Sequence, residues 1–364
     1  MKEEQSPENK HSYWLDTINL EPFEKLKQST ETDVGIVGGG ITGLTAAYML
    51  AKQNKKVTLI DADNLLHGTT GYTTAKITAQ HGLIYDELIQ HFGEDNASLY
   101  YKAAMEAKDI IENHISELNI DCDFKQEDAY IYTNDNKYVE KMKTEAKAYE
   151  KLGIPGSLAD NMPLDIPHKA ALVMHNQAQF HPLKYLAALI KACVDAGVAI
   201  YENTTATDVE YNKHPAIITK DGSRIRCRYV IIASHFPFYD GQGFYPTRLY
   251  AERAYVVGIK AKKKFPGGMY INAETPTRSV RSTGEQSDDL WLIVGENHKT
   301  GQGETMNNHY DALEQFADKN FGISEVLYRW STQDLTTLDK VPYIGQITKS
   351  QHNVFVATGY RKWG

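Results

Sequence analysis

Cysteine is scarce in this chain. Cys122, Cys193 and Cys227 are the three copies, and none stands in a Cys-x-x-Cys spacing. That excludes a disulfide framework and a cysteine-built zinc site. The 13 histidines form no His-x-His or His-Glu-x-x-His pattern, so no metal site is expected. A run of about 18 apolar residues is also missing, and no membrane span is expected. Positive charge is in deficit. The net charge of -8 argues against a nucleic-acid partner, which would need a surplus of Lys and Arg on one face. Met1–Lys10 is charged and has no apolar stretch of the kind a secretory signal needs, so the expected location is cytoplasmic. Internal repeats and low-complexity stretches are absent as well.

With 41% hydrophobic and 24% charged residues, the composition is that of a soluble globular protein. Its 364 residues suffice for two domains, or for one large interleaved α/β unit. Residues 1–30 are polar and read as a partly ordered arm, which Tyr13, Trp14 and Leu15 dock on the body. Next come an apolar strand Val34–Val37, a glycine turn, an amphipathic helix from about Thr42 to Gln53, and a strand Val57–Asp61. A strand–helix–strand unit of this length is what a parallel crossover requires.

The chemistry is concentrated in that turn. In Val37-Gly38-Gly39-Gly40-Ile41-Thr42-Gly43, Gly38 permits the tight exit from the strand and Gly40 lets backbone approach a phosphate. Gly43 allows close packing of helix on sheet, and the helix start at Ile41 and Thr42 offers N–H groups and a positive dipole end. Asp61, at the end of the second strand and followed by Ala62, is placed to accept hydrogen bonds from ribose hydroxyls. A Gly-x-Gly-x-x-Gly alone is weak evidence, but this one has its full strand–helix–strand–acid context. It reads as a dinucleotide site.

Further on, residues from Tyr85 to Leu152 are mainly helical, with Tyr130–Thr133 as a strand. Pro182 opens a helix over Leu183–Asp195, Val198–Glu202 is a strand, and Ala216–Thr219 with Arg224–Arg228 forms a hairpin. Tyr229–Ala233 is a buried strand. Phe236 to about Gly322 reads as strand-rich and aromatic, with strands at Ala254–Ile259 and Leu290–Val294. Asn353–Gly359 is a last apolar strand.

The loop does not by itself separate FAD from NAD. The stretch Asp33–Asp61, then Gly68-Thr69-Thr70-Gly71, the Val198–Val209 segment and Asn353–Gly364 together resemble FAD-dependent oxidoreductases of the D-amino-acid oxidase/glycine oxidase type. The resemblance covers most of the chain from residue 31 and implies FAD as cofactor. It implies an α/β fold, an FAD-binding Rossmann-like domain with an inserted α+β substrate domain. The expected division is 31–85, 166–235 and 325–364 for the nucleotide part, and 86–165 and 236–324 for the substrate part. In such proteins a Gly/Ser/Thr-rich segment wraps the cofactor. Gly68, Thr69, Thr70, Thr73 and Thr74 hold that place here, with Lys76 just beyond. Ala206 matches the stretch whose backbone meets the adenine, and Ala233 ends the cofactor-side strand. Pro342–Gly345 and then Gly359, Tyr360, Lys362 and Trp363 match the elements that hold the ribityl chain and isoalloxazine.

Gly71–Thr78 and Gly359–Gly364 further resemble a bacterial branch in which such an oxidoreductase precedes a C-terminal Rieske iron–sulfur domain. A Rieske centre needs two Cys and two His ligands, and this chain has no such cluster. It stops inside the last flavin motif, before the helix that would follow. A fragment with weakened FAD retention is therefore expected.

The family's implied reaction is removal of hydride from an amine-bearing carbon of a small-molecule substrate, with electrons passed to oxygen, a Rieske 2Fe-2S domain or another acceptor. Amino-acid-oxidising relatives carry an arginine shortly before the Pro-x-Ile-Gly segment. Gln333–Asp339 offers none, which puts a simple amino-acid substrate in doubt. Arg278, Arg281 and Lys362 are the candidate charged groups. Period-2 alternation sends Arg278 and Arg281 to opposite faces of a strand, so at most one faces a substrate. The aromatic run Phe236–Tyr239 with Phe244 and Tyr245 reads as core rather than pocket, and His235 as structural. Two other functions stay open: an electron-transfer flavoprotein module serving an iron–sulfur domain, and an NAD(P)-dependent dehydrogenase.

Overall fold

The computed structural model describes residues 12–241, 243–284, 290–302 and 305–361. Val34–Val37 is buried along its whole length, as a strand covered on both faces must be. It pairs in parallel with Val57–Ile60 on one side and Tyr229–Ile232 on the other. The six-stranded sheet continues from Val57–Ile60 to Ala199–Tyr201, and from Tyr229–Ile232 to Val354–Thr358 and Tyr343–Gln346. All neighbours are parallel except the last pair, which is antiparallel. The chain leaves Val34–Val37 toward one neighbour, Val57–Ile60, and supplies the other, Tyr229–Ile232, only much further on. That reversal opens a crevice beyond the strand's carboxyl end, where open α/β sheets bind ligands.

A nine-stranded sheet stands against this layer. Its path runs Ile323–Thr337, Leu249–Ala261, Trp291–Lys299, Arg278–Ser282, Met269–Asn272, Lys125–Thr133, Ala170–Gln179, Lys76–Ile77, with Gly156–Ala159 also paired to Ala170–Gln179. Three of these strands depart from the expected division. Lys76–Ile77, Ala170–Gln179 and most of Ile323–Thr337 fall in segments assigned to the nucleotide part, yet all three hydrogen-bond within this second sheet. Their apolar, β-branched character suits either sheet, and only the pairing partners decide.

The stretch from Phe236 to Gly322 is also not uniformly strand. Met306–Phe321 is a helix whose buried His309, Leu313, Ala317 and Phe321 recur at helical spacing. The helices Tyr85–Phe92, Glu94–Glu117 and Asn136–Leu152 form as expected, and the intervening strand is longer, Lys125–Thr133. Gly153, left-handed at φ 67, ends the third helix.

Residues 12–31 of the arm are ordered by specific contacts. Trp14 is fully buried, Phe23 N–H donates to Glu202, and Thr30–Glu31 adds a parallel strand to Arg224–Arg226. One core joins the arm (Trp14), the first helix (Leu44), the helix Pro182–Asp195 (Leu186) and the nine-stranded sheet (Leu292, Trp330). The three cysteines are buried thiols. Among the described residues no helix is long and apolar enough to cross a membrane.

Candidate cofactor and active site

A cavity of about 480 Å³ opens at the switch point of the six-stranded sheet and runs toward the nine-stranded sheet. It is walled by Asp61, Ala62 and Ala206, by Gly38, Gly40, Ile41 and Thr42, and by Thr73, Thr74, Val294 and Tyr360. Its size lies within the range of small-molecule and cofactor sites, roughly 300–1,000 Å³.

The glycine turn fits a phosphate cradle. Gly38 has φ +112, and a Cβ there would lie 2.3 Å from the Ala233 carbonyl oxygen. A Cβ on Gly43 would lie 1.9 Å from the Gly38 carbonyl oxygen, so only glycine lets the helix Ile41–Ala51 seat against the turn. No side chain caps that helix and its first turn holds no acid, which leaves its N–H groups and positive dipole end for an anion. Thr70 Oγ1, 3.4 Å from Ile41 N, only brushes it.

Asp61 is held by the turn it serves. Gly39 N–H donates to its Oδ2 at 2.6 Å and Asp63 N–H to its Oδ1 at 3.0 Å. Burial raises its pKa despite these bonds. A carboxylate has lone pairs beyond these two, as ribose recognition needs.

The wrapping segment is a 3-10 turn, Thr69–Tyr72, with Gly68 before it. Gly68, Thr69, Thr70, Thr73 and Thr74 all line the cavity. Thr42 Oγ1 meets the Tyr360 hydroxyl at 3.2 Å, tying the helix Ile41–Ala51 to the last described turn. Gly43 and Gly359 support the walls without lining them; a Cβ on Gly359 would lie 2.4 Å from Thr337 Cγ2. Lys362 and Trp363 lie outside the described residues.

The two arginines named from the sequence do not reach the cavity. Arg278 pairs with Glu296 on the side of the sheet covered by the helix Met306–Phe321, its guanidinium 5.7 Å from the Phe316 ring. Arg281 is fully buried on the other face. Its Nη1 donates to the carbonyls of Thr74 (2.7 Å) and Ala75 (2.6 Å), and its Nε to that of Ser282 (2.9 Å). Burial pulls its pKa down to about 9. It is a strut behind the wrapping segment. The opposite-face expectation holds, but neither side is the substrate side.

Lys76 lines a recess beside the cavity. Its Nζ bonds the Tyr270 carbonyl at 3.3 Å and the Ser279 hydroxyl. Burial, reinforced by the nearby Arg281 charge, lowers its pKa to about 7. Lys76, Ser279 and Asn297 line a recess of about 50 Å³ that shares Thr74 and Val294 with the main cavity. The Asn297 Oδ1 there is buried without a hydrogen-bond partner.

Other wall residues went unrecognised in the sequence. His235, read as structural, lines the cavity with φ 63, and burial lowers its pKa. Phe236, Phe238, Asp334 and Arg361 also line it. Their signal is tertiary: Asp334 lies within the strand Ile323–Thr337, and the others follow strands whose partners are distant in sequence.

Fold and cavity together define a dinucleotide-dependent enzyme of the two-sheet kind, and comparison with known proteins gives its family. The profile described as DAO, FAD dependent oxidoreductase, matches residues 33–364. The chain belongs to this family of FAD-dependent oxidoreductases, and its cofactor is FAD rather than a nicotinamide nucleotide. It is 48% identical over 353 residues to a protein of Bacillus subtilis (strain 168) named putative Rieske 2Fe-2S iron-sulfur protein YhfW, covering 97% of this chain and 69% of that one. It is 25% identical to the gamma-glutamylputrescine oxidoreductase of Escherichia coli (strain K12), over 63% of this chain and 55% of that one. Among solved structures, glycine oxidase from Geobacillus kaustophilus superposes with a TM-score of 0.74 at 19% identity, over 92% of this chain and 91% of that one. L-proline dehydrogenase from P. horikoshii gives 0.70 at 17%, over 92% and 90%. At these identities the structures establish the shared fold.

Proposed function

We propose that this FAD-dependent oxidoreductase oxidises a C–N bond of a small amine or amino-acid-like substrate that carries an anionic group. The observation that supports the reading best is the recess around Lys76. A lysine amine withdrawn from solvent has, among the described residues, only a carbonyl and a hydroxyl as partners. An ammonium so placed lacks a counter-charge, and an anionic substituent would supply it. The recess of about 50 Å³ offers the room of one or two waters at ~30 Å³ each, which is the scale of a carboxylate. Asn297 Oδ1, an acceptor without a partner, suits an N–H of the same substrate. The relatives named as acting on gamma-glutamylputrescine and glycine agree with an amine-bearing substrate.

When bound, FAD supplies the two-electron acceptor. The chain's own part is to hold one end of the substrate at Lys76, to orient it against Thr74 and Val294, and to keep bulk water out. We further propose that each of Gly38, Gly40, Ile41, Thr42, Asp61, Ala206 and Ala233 borders the adenosine and pyrophosphate, and the threonines of the wrapping segment the flavin. The relative named for a Rieske iron–sulfur centre favours a second reading, in which electrons are exchanged with such a domain and no amine is oxidised. Anaerobic titration with amines, with and without a carboxylate, separates the two. Bleaching of the flavin band near ~450 nm by carboxylate-bearing amines is expected. No bleaching by any amine, together with electron exchange with an added 2Fe-2S domain, would overturn the first reading in favour of the second.

A further inference from the structure

The segment Gly71–Ala75 is bound along its back by side chains in an unusual sequence. Ser12 Oγ donates to the Gly71 carbonyl, Trp330 Nε1 to that of Tyr72 (3.0 Å) and Trp14 Nε1 to that of Thr73 (2.7 Å). Arg281 Nη1 takes the carbonyls of Thr74 and Ala75. Five consecutive carbonyls are thus each engaged by a side-chain donor, and two of the four donors come from the arm. Those two residues lie before residue 33, where the family match begins.

The arm is seated rather than draped. Trp14 is fully buried, packs edge-on against His181 at 4.9 Å, and lies 5.4 Å from the Arg281 guanidinium. Ser12 caps the short helix Tyr13–Asp16 by accepting from Leu15 N–H at 3.3 Å while it donates to Gly71. Leu15 closes on Gly71, where a Cβ would lie 3.2 Å from Leu15 Cδ1. A peptide carbonyl is the negative end of a dipole, and a buried one without a donor turns to find a partner. Fixing these carbonyls from behind commits the opposite side of the segment, at Thr73 and Thr74, to the cavity.

We propose that Ser12 and Trp14 are positioning residues for FAD: the arm is a strap that sets the cofactor-facing conformation of the wrapping segment. The strap acts through the segment and touches no substrate, so the idea stands apart from which amine, if any, is oxidised.

The test is cofactor affinity in the full chain. Trp14→Phe keeps a ring in the core and removes the donor; Ser12→Ala removes the second donor, and Ser12→Thr restores it. Apoprotein is titrated with FAD by flavin fluorescence, and melting is followed with and without FAD. The Kd for FAD is expected to rise about tenfold in Trp14→Phe and about threefold in Ser12→Ala, as fits loss of one hydrogen bond each. Ser12→Thr should bind as the parent does. The FAD-induced rise in Tm should shrink in step with the lost affinity. Unchanged Kd in both variants, or equal Tm losses with and without FAD, would overturn the proposal and leave the arm a purely structural element. If Trp14→Phe fails to fold, the Ser12→Ala and Ser12→Thr pair decides alone.

Discussion

The cavity wall around Gly38–Asp61 and the wall around Thr69–Lys76 are made rigid by different means. The first is built from one continuous stretch: strand, turn, helix, strand and acid, with Gly39 N–H bonding Asp61 only 22 residues away. Its precision comes from close backbone approach, so it tolerates almost no added atom. The second is a turn with little regular structure, and its shape is imposed from outside by Ser12, Trp14, Arg281 and Trp330. A wall made by local packing fails through steric excess. A wall made by remote hydrogen bonds fails through a missing partner.

The largest effect expected from that contrast is at Gly43. In Gly43→Val the Cβ would meet the Gly38 carbonyl oxygen at 1.9 Å, so the helix must back away at a cost of roughly 3 kcal/mol or more. Loss of detectable FAD binding in a fluorescence titration is the expected readout; near-normal affinity would show that the turn is not the cradle. Next comes Arg281→Met, of similar length and without donors. It strands the carbonyls of Thr74, Ala75 and Ser282 and should cost about 3 kcal/mol in chemical denaturation. A loss below about 1 kcal/mol would mean that the second wall does not depend on its strut.

Asp61→Asn sharpens the first wall. The amide keeps an acceptor for Gly39 N–H but loses the charge and the bond from Asp63 N–H, and FAD affinity should fall about tenfold with folding stability lowered by about 1 kcal/mol. A stability loss without an affinity loss would make Asp61 a structural acid. The most diagnostic effect is at Lys76. Its folded-state pKa of about 7 lies below the ordinary 10.5, so the unfolded chain binds more protons between those values. Stability therefore rises with pH from about 7 to 10.5 and is lost as pH falls through that window, then levels off below it. Lys76→Met should be more stable than the parent at pH 7 and should flatten this slope; an unchanged slope would place the amine in water.

The first wall was legible in the residue order because every determinant lies within one crossover unit. Tight turn, uncapped helix start and following acid have spacing signatures that neighbours alone fix. The role of Arg281 was not legible. It bonds Thr74 across 207 residues, and its alternation on the strand Arg278–Ser282 told that it faces away from Arg278 but not what it faces. The same holds for Lys76, whose partners Tyr270 and Ser279 lie 194 and 203 residues on. The partners of Ala170–Gln179 and Ile323–Thr337 were not legible for a related reason: a buried strand shows its burial but not its neighbour.

By itself, then, the sequence determined an α/β protein whose Gly38–Gly43 turn and Asp61 are shaped for a dinucleotide, since those features depend on backbone geometry over some thirty residues. Only the tertiary structure decided that Ser12 and Trp14 of the arm bond the wrapping segment, that Arg281 is a strut behind it, and that Lys76 lines a recess beside the cavity. Hydrogen bonds between remote segments leave no periodicity in either partner. They exist only once the two sheets and the arm have closed on one core.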